Sequence, residues 1–302
     1  MPKIAILAGE ASGDLIGSQL MSYLNLKIKN VKYIGVGGPQ MSRNGLVSYF
    51  NYNELSVHGY FDAFKKIFRL LSLRSRVVDY FLKEKPDIFI GIDAPDFNFE
   101  IERKLKFNNI PTFHYVAPSV WAWRKGRIFD IKENVNHLFS VFPHELKIFQ
   151  KAKVPITFVG HPLASKIPLN PSVKKGRNKL HLDKSKTIIA LLPGSRLSEI
   201  KCHLELMINT AILINKELSW RKLKRSEFLI PLNSKENYFY MTNMLNLYSN
   251  KIKNIKLIIG HSHDVICSAN MVIAVSGTAT LEAALYKKPM IIVYKTSLLS
   301  YL

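Results

Sequence analysis

The sequence predicts an α/β chain of two doubly wound domains, and three observations predict it. Short apolar runs alternate with helical patterns along the chain. The runs are nearly continuous and end in Gly, Asp or Pro, which suits parallel strands covered on both faces. The alternation breaks once, in the proline-bearing, charged stretch KIPLNPSVKKGRNKLHLDKSK from Lys166, which reads as a linker.

KIAILAG (from Lys3) reads as the first buried strand, and Asp14 to Leu26 as the helix that follows. VKYIGVGG (from Val31), PDIFIGID (from Pro86), PTFHYVAP (from Pro111), HLFSVF (from His137) and ITFVG (from Ile156) continue the first series. After the linker come KTIIALLPGS (from Lys186), EFLIPLN (from Glu227), NIKLIIG (from Asn254), MVIAVSG (from Met271) and PMIIVY (from Pro289). This predicts a Rossmann-like domain over 1–165, a linker over 166–185 and a second Rossmann-like domain over 186–302. The carboxyl ends of both sheets would bound an interdomain cleft, the usual ligand site of open α/β sheets. A covering helix is expected after the last strand, so the second domain reads as incomplete.

With 302 residues, 47% of them hydrophobic, the chain can bury a core. The balance of 43 Lys+Arg against 22 Asp+Glu gives a formal charge of +21. Such a charge suits a polyanionic partner, whether nucleic acid, an anionic membrane or phosphorylated substrates; a general richness in Lys, Asn and Ile is the alternative source. Cys202 and Cys267 lie far apart with no CxxC spacing, which argues against a disulfide framework or a cysteine zinc site and suits a reducing cytoplasm. The opening apolar run is too short for a signal peptide, and no run of about 18 apolar residues spans a bilayer.

Candidate chemistry sits at strand ends. Gly9-Glu10-Ala11-Ser12-Gly13-Asp14 follows the first strand, its two glycines allowing a tight turn into a helix start that favours an anion. The pattern is neither GxGxxG nor GxxxxGK[ST], so neither a nicotinamide dinucleotide nor a P-loop is indicated. Glu10 can bond a hydroxylated ligand or be merely solvated. Asp93, ending the run GID, can accept a proton from an attacking hydroxyl. Asp96 can share that role or cap the following helix. Trp121 and Trp123, in Val116-Ala117-Pro118-Ser119-Val120-Trp121-Ala122-Trp123, can line an acyl or sugar pocket or pack in the core.

In the second domain, Gly194, Ser195 and Arg196 follow a strand, offering backbone N–H groups and a planar guanidinium for a diphosphate. Ser276, Gly277 and Thr278 repeat that logic, with Glu282 placed to reach ribose hydroxyls. Between Phe61 and Leu82, Phe61, Phe64, Ile67, Phe68, Leu71 and Val78 fall on one helical face, with Lys65, Arg69 and Arg76 beside it. Such a helix can lie on an anionic bilayer or pack on its own sheet.

Taken together, GEASGD, GIDAPDFN, APSVWAWR, FVGHP, LLPGSR and SGTATLE resemble the lipid-A-disaccharide synthase family of bacterial glycosyltransferases, in order and over essentially the whole chain. The resemblance implies a GT-B fold and an inverting transferase that needs no metal or cofactor. It implies joining of UDP-2,3-diacylglucosamine to 2,3-diacylglucosamine 1-phosphate, yielding a β-1,6-linked disaccharide 1-phosphate and UDP in lipid A biosynthesis. By motif position Asp93 is the expected general base and Glu10 organises the acceptor side. Gly9, Ser12, Gly13, Ser119, Trp121 and Trp123 are expected around the acceptor and its acyl chains. Arg196 is expected on the donor diphosphate, and Ser276, Gly277, Thr278 and Glu282 follow by analogy with GT-B donor sites. Expected partners are the two acylated substrates and the cytoplasmic face of an anionic inner membrane, reached through Phe64, Lys65, Phe68, Arg69 and Arg76. Nucleic acid is not expected, since no groove-reading helix or RNP-type aromatic pattern occurs. A homodimer is left open. Members of the family run on past the end of this chain, and two of its residues depart mildly, Ala117 where serine is common and Gly38 where alanine is. Competing readings are another GT-B transferase, a UDP-sugar epimerase, and an inactive truncated remnant.

Overall fold

The computed structural model describes residues 1–55, 63–120, 126–224 and 226–295. The chain divides into two compact units, Met1–Pro162 and Leu163–Leu302.

The first unit is built on β1 (Lys3–Ala8), β2 (Lys32–Val36), β3 (Leu46–Ser48), β4 (Ile88–Ile92), β5 (Thr112–Tyr115), β6 (His137–Ser140) and β7 (Ile156–Phe158). These form one sheet in the order β3-β2-β1-β4-β5-β6-β7, and every pairing is parallel. The connections supply α1 (Ala11–Lys27), α2 (Pro39–Ser42), α3 (Ala63–Glu84), α4 (Pro95–Phe107), α5 (Arg127–Asn134) and α6 (Pro143–Lys151). Proline at the first position starts α2, α4 and α6, where its missing N–H costs nothing.

The continuous apolar runs work because successive strand residues serve opposite faces. Ile4, Ile6 and Ala8 of β1 pack with Ile16, Met21, Met41, Ile90 and Ile92 beneath α1 and α2. Ala5 and Leu7 pack with Val77, Phe81, Phe89, Ile101 and Leu105 beneath α3 and α4. Each fully buried large side chain contributes about 1.5–3 kcal/mol. The three-residue β3 is too short to stand out as an apolar run, so the sequence does not announce it.

The second unit contains α7 (Pro162–Lys166), which begins at the division, and α8 (Val173–Lys179). Its strands are β8 (Ile188–Leu192), β9 (Glu227–Leu232), β10 (Ile255–Ile259), β11 (Met271–Val275) and β12 (Met290–Val293). They form a parallel sheet in the order β10-β9-β8-β11-β12. The helices between them are α9 (Leu197–Trp220), α10 (Lys235–Leu247), α11 (Ser262–Ser268) and α12 (Thr278–Leu285). Ile189 and Leu191 pack with Ile200, Leu204, Met207, Ile208 and Met241 of α9 and α10.

The stretch read as a linker contains a docked helix. Arg177 of α8 is buried, its guanidinium donating to the carbonyls of Ser268 (3.2 Å) and Lys184 (2.8 Å) and to Asn270 Oδ1 (2.8 Å). Counting charge makes Arg177 look solvated; three acceptors waiting in the second unit make it a tie. Among the described residues, no helix is long and apolar enough to cross a membrane.

One buried carboxylate secures the start of the first unit. Asp14, 2% exposed, accepts the N–H groups of Gly38 (2.9 Å), Met41 (2.9 Å) and Gln40 (3.1 Å). It caps α2 from α1 and so closes the GEASGD turn against the end of β2. Asp14→Ala would strand these donors, and we expect unfolding free energy to fall by about 3 kcal/mol in urea titration.

Candidate active site

In a doubly wound sheet the ligand crevice opens where the strand order reverses, because neighbouring connections leave for opposite faces. The first unit reverses between β1 and β4, the second between β8 and β11. The sequence-derived candidates that the structure describes at strand ends fall at these two points, except Ser119, which lies beyond β5.

At the first, Ala8 of β1 pairs with Ile92 of β4, so Gly9-Glu10 and Asp93-Ala94 leave the sheet side by side. A Cβ on Gly9 would sit 3.6 Å from that of Ala94. Glu10 is the N-cap residue of α1, and its carbonyl accepts the Asp14 N–H at 2.9 Å. Ser12 and Gly13 lie in the first turn of α1, where Gly13 is buried against β1 and β4.

Asp93 has φ 52°, Ala94 φ 45° and, across the register on the end of β5, Val116 has φ 79°. The left-handed region costs ordinary residues about 1–3 kcal/mol each, most for a β-branched side chain, and such residues gather at functional sites. Asp93 is held from both sides: its N–H donates to the Tyr115 carbonyl (2.9 Å), and its own carbonyl accepts Asn98 Nδ2 (2.7 Å). Asp96 stands in the first turn of α4, largely exposed, and is ion-paired with Arg127 of α5. Ser119 is exposed beyond β5. Trp121 and Trp123 lie outside the described residues.

At the second reversal, β8 runs into Pro193-Gly194-Ser195-Arg196. Gly194 has φ 118°, and a Cβ there would approach Glu199 Cβ to 2.5 Å, so only glycine fits. Glu199 Oε2 accepts the N–H groups of Ser195 (2.9 Å) and Arg196 (3.2 Å), and Arg196 Nη1 lies 3.6 Å from its Oε1. This is the reach-back half of a capping box, and it shows that the turn seats a carboxylate. The sequence reading missed Glu199, although a Glu three residues after an N-cap is the signal for it. At the end of β11, Ser276 donates its N–H to the Val293 carbonyl (3.2 Å), Gly277 is the N-cap residue of α12, and Thr278 opens that helix. Glu282 lies one turn further on, half-buried; burial raises its carboxyl above the ordinary value, partly offset by His263.

The basic helix behaves differently from the single apolar face read in the sequence. Leu73, Val77, Val78 and Phe81 of α3 turn to the core, while Phe68 and Leu71 are 68% and 44% exposed. Val78 thus leaves the predicted face for the sheet side, because β2 and β4 offer apolar surface there. Arg69 pairs with Glu54 (2.8 Å) and Arg76 is exposed. The side chains of Phe64 and Lys65 lie outside those described.

Two parallel doubly wound units define a GT-B fold. The fold is shared with solved structures of low sequence identity. The UDP-GlcNAc 2-epimerase of Neisseria meningitidis bound to UDP-GlcNAc gives a TM-score of 0.64 at 14% identity, covering 98% of this chain and 84% of that one. MurG of Acinetobacter baumannii gives 0.54 at 13% identity, covering 97% and 78%.

Sequence relatives decide between the chemistries this fold carries. The family described as Lipid-A-disaccharide synthetase matches residues 4–302. The lipid-A-disaccharide synthase of Methylobacillus flagellatus is 45% identical over 301 residues, covering 100% of this chain and 78% of that protein. The Chromobacterium violaceum enzyme of the same name is 41% identical over 299 residues, covering 99% and 76%. The chain belongs to the lipid-A-disaccharide synthase family and is a glycosyltransferase of lipid A biosynthesis. The epimerase alternative is not favoured.

The raised Glu282 carboxyl makes a signed prediction. A group that holds its proton more tightly when folded adds stability below its unfolded pKa, near 4.5, and that contribution is lost as pH rises through the folded value. Unfolding free energy measured against pH above 4.5 should therefore decline less steeply in Glu282→Gln than in the parent chain.

Proposed function

We propose that this chain joins UDP-2,3-diacylglucosamine to 2,3-diacylglucosamine 1-phosphate, releasing UDP and the β-1,6-linked disaccharide 1-phosphate. The observation that carries the reading is the placing of Glu10 and Asp93 at the strand reversal of one sheet and of Arg196 and Ser276–Thr278 at that of the other. On this reading acceptor chemistry falls to the first unit and donor binding to the second.

A neutral sugar hydroxyl is a weak nucleophile. Asp93 accepts the proton of the acceptor 6-hydroxyl as its oxygen attacks the donor's anomeric carbon. The new C–O bond forms opposite the UDP, the bond to the diphosphate oxygen breaks, and its electron pair leaves with UDP, inverting the centre. Glu10 orients the acceptor, with Gly9, Ser12, Gly13 and Ser119 around it, and the family resemblance gives Trp121 and Trp123 to the same substrate. Charge developing on the diphosphate is met by Arg196 and the N–H groups of Gly194 and Ser195. In support, this turn already seats the Glu199 carboxylate on the Ser195 N–H and beside the Arg196 guanidinium. Ser276, Gly277 and Thr278 take the remaining phosphate oxygens and Glu282 the ribose hydroxyls. In this scheme cationic and N–H donors do the work with no metal or cofactor.

The substrates are anionic lipids, and the reading places the chain on the cytoplasmic face of an anionic membrane. The exposed Phe68 and Leu71, flanked by Arg69 and Arg76, support contact through α3. The net charge of +21 acts in the same direction.

Both acylated substrates in detergent micelles, without added metal, should yield the disaccharide and UDP. Asp93→Ala should lower turnover by about 10²–10⁴-fold while UDP binding persists, and Arg196→Ala should lower it by about 10²–10³-fold. Turnover of a soluble UDP-sugar with no acceptor would instead support an epimerase. Phe68→Glu should reduce co-sedimentation with vesicles of anionic phospholipid, leaving thermal unfolding unchanged.

A further inference from the structure

Beneath the Asp93 turn lies a buried polar cluster that the scheme above leaves unused. Asn98, Glu102 and His114 are each 0% exposed. Asn98 and Glu102 stand four apart on α4 and share a helix face. That face meets β4 at Gly91, where a Cβ would lie 2.4 Å from Glu102 Oε1 and 3.1 Å from Asn98 Cβ. Only a missing side chain lets the helix come so near. From β5, His114 Nδ1 bonds Glu102 Oε1 at 2.7 Å.

The cluster is not built for stability. Asn98 Oδ1, Glu102 Oε2 and His114 Nε2 are all buried with no hydrogen-bond partner among the described residues. Unsatisfied groups of this kind weigh against folding. Its shortest outward hydrogen bond is the informative one: Asn98 Nδ2 donates to the Asp93 carbonyl at 2.7 Å, with the Ile92 carbonyl further off at 3.5 Å. On the other side, the Asp93 N–H is held by the carbonyl of Tyr115, the residue after His114. The peptide so gripped is one of three adjacent left-handed non-glycine residues, Asp93, Ala94 and Val116.

We propose that Asn98, backed by Glu102 and His114, is a positioning residue for Asp93. Its amide ties the Asp93 carbonyl to α4. The Glu102–His114 contact ties that turn of α4 to β5. The Asp93 peptide is thereby kept from relaxing into the right-handed or extended regions, either of which would carry its carboxylate elsewhere. This inference rests on Asp93 being the general base; none of the three supporting residues is assigned contact with substrate.

Amide exchange and kinetics of the full chain test it together, using Asn98→Ala, Asp93→Asn and the double variant. In Asn98→Ala, protection of the Asp93 amide should fall at least about 10-fold while the β1 and β2 amides keep theirs. Its kcat should fall about 10–100-fold with both KM values little changed, as expected for a misplaced reacting group. Added to Asp93→Asn, Asn98→Ala should have almost no further effect, since it acts through Asp93. Unchanged Asp93 protection, a near-normal kcat, or a full extra loss in the double variant would each overturn the proposal. Normal turnover of Asp93→Asn alone would instead remove the base assignment, and the positioning role with it. Should Asn98→Ala fail to fold, Glu102→Gln, which keeps the shape, is read by the same criteria.

Discussion

A right-handed crossover can reach a neighbouring parallel strand over only one face of a sheet for each direction of travel. Everything at the candidate site depends on this constraint. In the first unit the chain runs outward from β1 to β2 and β3, then restarts on the other side of β1 with β4. The packing reflects the change of direction, with Ile16 and Met21 of α1 on one face and Ile101 and Leu105 of α4 on the other. No helix joins β1 directly to β4, so Glu10 and Asp93 leave adjacent strands side by side at the reversal. The order of the second sheet repeats the arrangement between β8 and β11. Two reversals from one folding rule explain why short motifs widely separated in the chain all fall at strand ends.

What surrounds these openings is costly to maintain, and the structure supplies the restraints locally. Asp14 draws three backbone N–H groups onto one buried carboxylate, so the end of the GEASGD turn is tied to the start of α2. Glu199 holds the Ser195 and Arg196 N–H groups in the orientation an anion requires. Left-handed Asp93 is gripped through both of its peptide groups. The common device is a polar side chain that fixes backbone.

The fold leaves the chemistry open. A UDP-GlcNAc 2-epimerase and MurG share the architecture at 14% and 13% identity, so the scaffold does not choose between isomerisation and transfer. Relatives at 41–45% identity carry that choice, and they retain the name of a disaccharide synthase.

Periodicity and punctuation in the sequence were enough to read the two α/β units, because a strand buried on both faces must be apolar throughout and must end where the backbone turns. They also located Glu10, Asp93, Arg196 and the Ser276–Thr278 turn at strand ends, since motif residues next to an apolar run have nowhere else to go. Other features depended on contacts between distant segments. Arg177 is indistinguishable from a solvated charge until Ser268 and Asn270 meet it. Val78 reads as sharing one apolar face with Phe68 and Leu71, turned to a bilayer or to the sheet, until the sheet claims Val78 and leaves the other two outside. The Asn98–Glu102–His114 cluster needs β5 beside β4 and a side-chain-free Gly91 between them. Local pattern records which face a residue prefers; only the packed sheet decides which partner, 12 residues away for Glu102 and His114, satisfies it.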